Sequence, residues 1–207
     1  MSEHHYRIHD HLVTGVDYCP SPNCNDRPDG EISLLVIHNI SLPPGQFGGQ
    51  GIRRLFTNCL DPDEHPYYRE IHQLEVSAHL LIGRDGELTQ FVPFDRRAWH
   101  AGRSCFQGRE ACNDFSIGIE LEGADDIPYS EQQYAALIGV TRALMGAYPD
   151  IGPQRICGHS DIAPGRKTDP GPAFDWRRYR RALSAYQESA DRESADQESA
   201  DQESGNQ

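Results

Sequence analysis

No run in this 207-residue chain approaches the roughly 18 consecutive apolar residues of a membrane-spanning helix. The N-terminus, MSEHHYRIHDHLVTGVDYCPSP, lacks the basic start and apolar stretch of a secretory signal. Basic residues are in deficit: 19 Lys and Arg against 32 Asp and Glu give a net charge of -13. That balance excludes nucleic acid or an anionic membrane as the main partner, because both demand a basic face. No two cysteines are spaced as CxxC, so a thiolate zinc site is not indicated. The six cysteines (Cys19, Cys24, Cys59, Cys105, Cys112, Cys157) fall short of the density of a stapled secreted domain and read as reduced thiols of a cytoplasmic protein.

What is present suffices for one globular domain. Residues 1–19 read as an N-terminal extension, 20–186 as the domain and 187–207 as a disordered tail. The tail repeats Glu-Ser-Ala-Asp-Gln/Arg with no large apolar residue, too polar to bury a core. Its seven acids and one arginine give it a net charge of -6, which leaves -7 for the body.

Within the body, Ser33 to His38 is a short apolar run and reads as a buried strand ending in a histidine. The Pro/Gly-rich stretch Ser41 to Gly51 predicts a long irregular connection beside that end. Val76–Ile82 and Leu88–Pro93 flank Arg84-Asp85-Gly86-Glu87, a hairpin signature. Phe115–Leu121 reads as a further strand carrying Glu120. Ser130-Glu131-Gln132-Gln133 has the form of a capping box, ahead of a stripe of Tyr134, Leu137, Ile138, Leu144 and Met145. Arg155–Gly158 is a last short strand, and Asp175 can cap a terminal helix. Strands interleaved with helices predict an α/β fold, a single domain with a central mixed β-sheet flanked by helices.

The chemistry is carried by His38 at its strand end and by GHSDIAPGRKTDPG, which supplies His159, Lys167 and Asp169. Two imidazoles and one carboxylate leave a fourth position for water, the ligand set of a catalytic zinc site, although other first-row metals accept the same donors. Hydrolysis also needs a group to move protons, and Glu120 is the candidate, with Glu122 its rival. Lys167 could stabilise an oxyanion. His79, inside VSAHLLI, reads as a hydrogen-bonded core residue or a support for the ligands. His4, His5, His9 and His11 read as solvated.

VIHNISLPPGQFGG, VSAHLLIGRDGELTQFVPFDRRAWHAG, CNDFSIGIELEG and GHSDIAPGRKTDPG resemble the cytoplasmic 1,6-anhydro-N-acetylmuramyl-L-alanine amidases. These belong to the zinc amidases that share a fold with peptidoglycan-recognition proteins and phage T7 lysozyme. The resemblance runs from about Pro20 to Tyr179. It implies hydrolysis of the lactyl–L-alanine amide of anhydro-muropeptides in cell-wall recycling, with an indirect influence on β-lactamase induction. It further implies one Zn2+ per chain on His38, His159 and Asp169, Glu120 as base and Lys167 as transition-state stabiliser. Asn39, the loop through Phe56, and Trp99 to Gly102 would form the substrate cleft. Glu75 and Ala111 stand where some relatives carry arginines suited to stem-peptide carboxylates, and Arg69, Arg103 or Arg109 could compensate. A cytoplasmic monomer acting on a soluble anhydro-muropeptide is the expected form. The alternatives are a periplasmic murein amidase and a non-catalytic peptidoglycan-binding module.

Overall fold

A computed structural model describes residues 5–185; the acidic repeat tail lies outside them. The described chain divides into two compact units, one ending at Phe174 and one beginning at Asp175. The second contains a helix over 176–185, capped where the Asp175 carboxylate accepts the Arg178 N–H at 2.9 Å. Among the described residues no helix is long and apolar enough to cross a membrane.

A six-stranded mixed sheet organises the first unit, in the order Ile156–Gly158, Leu34–Ile40, Ser116–Glu122, Leu80–Ile82, Leu88–Gln90, Asp17–Tyr18. The first four strands pair in parallel, and the Leu80–Ile82/Leu88–Gln90 hairpin supplies the antiparallel step. The two central strands owe their apolar character to burial on both faces, as central parallel strands require. Their register pairs His38 with Glu120. In the hairpin, Gly86 takes φ +86°, a conformation open to glycine at little cost. The expected strand over Val76–Ile82 becomes regular only at Leu80, because Ser77 donates its N–H to the Trp99 carbonyl instead.

Ser130 and Gln133 form the capping box in both directions, at 3.0 and 3.1 Å, and open the helix Glu131–Ala147. Tyr134, Leu137 and Leu144 turn inward with Ala136 and Val140, whereas Ile138 and Met145 are only half-buried. The Gln133 amide also donates to the Glu122 and Ile82 carbonyls, tying this helix to the strand ends that carry the candidate site.

The stretch expected to be an N-terminal extension supplies the edge strand of the sheet. Asp17–Tyr18 runs parallel to Leu88–Gln90, and the fully buried Gln90 side chain accepts from Val13 N–H and donates to the His11 carbonyl. These ties are to backbone, and among the described residues of the stretch Val13 alone is buried, so no apolar periodicity advertised them.

Arg27 is the main internal rivet. Its buried guanidinium donates to the carbonyls of Phe94, Asn113, Asp114 and Ser116 at 2.8 to 3.2 Å. Removing the cation leaves those acceptors desolvated. Arg27→Met should therefore cost about 3 kcal/mol or more, a fall in Tm of roughly 6–12 °C at this size. Urea and thermal unfolding of the variant check this; a change under 2 °C, by contrast, would dismiss the rivet.

Candidate metal centre

Parallel strands present their carboxyl ends on one side, where ligands collect in open α/β sheets. His38 stands there, and its registered partner Glu120 leaves the same face of the sheet. His159 follows the neighbouring strand Ile156–Gly158, as the first residue of the short helix His159–Ile162. The loop beyond returns Asp169 to the same place, held by a Ser160 N–H to Asp169 carbonyl bond of 3.0 Å.

The result is a tight triangle. His38 Nδ1 lies 3.0 Å from His159 Nδ1, and each lies 3.1 Å from Asp169 Oδ2. The outer nitrogens decide which atoms hold hydrogens. His159 Nε2 faces the Ala101 carbonyl at 3.1 Å, an acceptor only, so the neutral ring carries its hydrogen there and points a lone pair at the triangle. His38 Nε2 meets His100 Nδ1 at 2.9 Å, and His100 Nε2 meets Ser116 Oγ at 3.1 Å. Three electron-rich atoms thus share at most one hydrogen while both rings are neutral. That arrangement suits a cation, and among the described residues this is the group of His, Cys, Asp or Glu placed to hold one.

Electrostatics agree. Burial holds the His38 imidazole down to about 4, so it is neutral and a donor of electrons near pH 7. Burial alone would raise Asp169, yet the His159 and His38 contacts keep it below the ordinary carboxylate range. Burial and the Asp169 charge push Glu120 well above its ordinary value, while Lys167 pulls it down. Lys167, the sole lysine of the chain, is exposed, and its charge reaches both His38 and Glu120.

The two glutamates of the strand differ in one respect that separates them. Glu122 spends its oxygens on backbone, accepting Gly48 N–H at 2.6 Å and Arg84 N–H at 3.3 Å. Glu120 Oε2 is buried without a hydrogen-bond partner. A buried carboxylate oxygen left free beside a cation site is placed to handle protons.

Other expectations change. Phe56 is 2% exposed and packs edge to face on Phe91 at 5.1 Å, a core residue rather than a cleft wall. Arg109 lies by the amino ends of the strands, ion-paired with Glu31 at 2.6 Å and stacked 4.0 Å over Phe115, so it does not reach the centre. Asn39 adjoins His38, but its amide donates to Asp125 at 2.8 Å. Trp99 is half-buried, with its indole N–H on Asn25 at 2.7 Å. His79 accepts Gly118 N–H at Nδ1 (3.0 Å) and reaches the Arg96 carbonyl through Nε2 (3.0 Å), which makes it a structural core residue. His100 was not among the candidates read from the residues. Its one signal is Gly118, where an added Cβ would lie 2.5 Å from the His100 ring.

The family model described as N-acetylmuramoyl-L-alanine amidase matches residues 28–172. The 1,6-anhydro-N-acetylmuramyl-L-alanine amidase AmpD of Escherichia coli K12 is 61% identical over 173 residues, 83% of this chain and 94% of that protein. A crystal structure of a selenomethionine AmpD derivative superposes with a TM-score of 0.83 at 56% identity, covering 85% of this chain and 98% of that one. E. coli AmiD, solved with anhydro-N-acetylmuramic acid-L-Ala-D-γ-Glu-L-Lys, superposes with a TM-score of 0.53 at 26% identity, covering 86% and 65%.

Two outcomes follow from the packing and the charges. Gly118→Ala forces a methyl into the His100 ring, an overpacking worth about 1–3 kcal/mol, so thermal denaturation should show a Tm lower by roughly 2–10 °C. Glu120 has a raised pKa in the fold, so its stabilising share is present below the unfolded carboxyl value and is lost as pH rises. At pH 7 the buried charge is a cost. Glu120→Gln should therefore melt higher than wild type in metal-free protein at pH 7, with the gap closing toward pH 4; an unchanged gap would refute the burial argument.

Proposed function

The chain belongs to the N-acetylmuramoyl-L-alanine amidase family, and on that premise we propose that it is a zinc-dependent amidase of cell-wall recycling. Its substrate is a 1,6-anhydro-N-acetylmuramyl peptide, cut at the amide between the lactyl group and L-alanine. The substrate class rests on the identity to AmpD along most of both chains and on the muropeptide held by the AmiD structure. The observation that carries the catalytic reading is the partnerless Glu120 oxygen in register with His38, beside a triangle of acceptor atoms.

His38 and His159, through their Nδ1 atoms, and Asp169, through Oδ2, would hold one zinc ion. Zinc supplies Lewis acidity, which polarises a carbonyl and brings the pKa of coordinated water to about 7. Glu120 takes a proton from the attacking water at Oε2 and returns one to the departing L-alanine nitrogen, so the products are a lactyl carboxylate and a free amine. Lys167, whose charge reaches His38 and Glu120, would stabilise the oxygen that gains charge in the tetrahedral state. Burial serves this cycle: the raised pKa of Glu120 makes it a better proton acceptor than an exposed carboxylate. A cytoplasmic setting accords with six free cysteines and with the recycling role. The monomeric state and an effect on β-lactamase induction belong to the same reading.

The test is mass-spectrometric product analysis with anhydro-muramyl tripeptide. Zinc-loaded protein should release free tripeptide, chelator-treated protein none, and Glu120→Ala at least about 100-fold less. Cleavage that persists unchanged after chelation contradicts the proposal, and no cleavage by folded, zinc-loaded protein points to a binding module.

A further inference from the structure

The loop that bears Asp169 and Lys167 is irregular, and something outside it must fix where the carboxylate arrives. Tyr129 is in contact with that loop. Its hydroxyl donates to the Pro170 carbonyl at 2.8 Å, one residue beyond Asp169. Asn39, one residue beyond His38, donates its amide to Asp125 Oδ1 at 2.8 Å, and the Asp125 carbonyl accepts Ala173 N–H at 2.9 Å, back in the loop.

The fit around this bridge is close. Gly171 takes φ +77°, and a Cβ there would lie 2.2 Å from Asp125 Cα. Gly123 leaves room for the Tyr129 ring, since a Cβ would stand 2.6 Å from its Cε1. Tyr129 is 7% exposed and packs 5.6 Å from the Phe174 ring. A phenylalanine could provide all of that packing. What packing does not require is a hydroxyl bonded to the residue that follows a metal ligand.

The geometry points to Tyr129 as a positioning residue of the metal centre, its hydroxyl bridging to the Pro170 carbonyl so that Asp169 is set against His38 before an ion arrives. This rests on the zinc reading above. Removal of the bridge frees the loop, so the ion must then pay for ordering it, and outer partners of metal ligands commonly contribute 10–100-fold in affinity.

Zinc dissociation constants from competition with a chromophoric chelator test this on the full chain, with Tm of the metal-free protein recorded in parallel. Tyr129→Phe keeps the ring and should weaken zinc binding at least about 10-fold, while metal-free Tm moves by no more than about 4 °C. Asn39→Ala breaks the tie through Asp125 that holds the same loop and should weaken zinc comparably. Wild-type zinc affinity in either folded variant overturns the inference while leaving the zinc site standing. If wild type itself binds no zinc, the metal reading fails first and takes the bridge with it.

Discussion

Convergence of three acceptor atoms within about 3 Å is the interaction on which the rest of this structure turns. Such a cluster repels itself, so the fold must hold it in place by forces that act elsewhere. The parallel sheet supplies the first of these, because its central strands are buried on both faces and cannot shift register without exposing apolar side chains. Register then puts His38 opposite Glu120, and the same constraint that orders the core orders this carboxylate.

Support comes in layers behind the ligands. Ala101 and His100 decide which nitrogen of each imidazole faces inward, and Gly118 makes the space that His100 fills. Farther back, Arg27 gathers four carbonyls and abuts His79, so the wall behind the imidazoles is rigid and cationic. Burial lowers His79 to about 3 and His100 well below its usual value, and the Arg27 charge adds to both effects. The imidazoles behind His38 therefore stay neutral near pH 7, and a second cation does not compete with the first. Glu120 sits at the boundary of this rigid wall, where the cost of burying its charge is also the source of its basicity.

Much of this was legible in the sequence because local pattern and global fold agree. The apolar run before His38, the Ser130 capping box and the Gly86 hairpin each appear where the residues indicate, since a run, a cap and a turn are short-range devices. His38, His159 and Asp169 were readable as one donor set, whereas the distant contacts that close the loop bearing Asp169 were not, because they join residues far apart in the chain. Phe56 and Arg109 were misplaced for related reasons: an aromatic in a Gly-rich neighbourhood and an arginine near a cleft motif look the same whether they face a ligand, a core or a glutamate. The place of His100 behind His38 and the Asp17–Tyr18 edge strand went unread because their partners are a glycine's missing side chain and a buried glutamine.

Zinc stoichiometry by equilibrium dialysis, on wild type and on Asp169→Ala, addresses the central claim most directly. The triangle predicts one tightly held ion per wild-type chain and a large loss of it in the variant, which keeps both imidazoles but removes the anionic corner. Equal zinc content in the two proteins, or none in wild type, would contradict the claim that these three side chains form one metal centre.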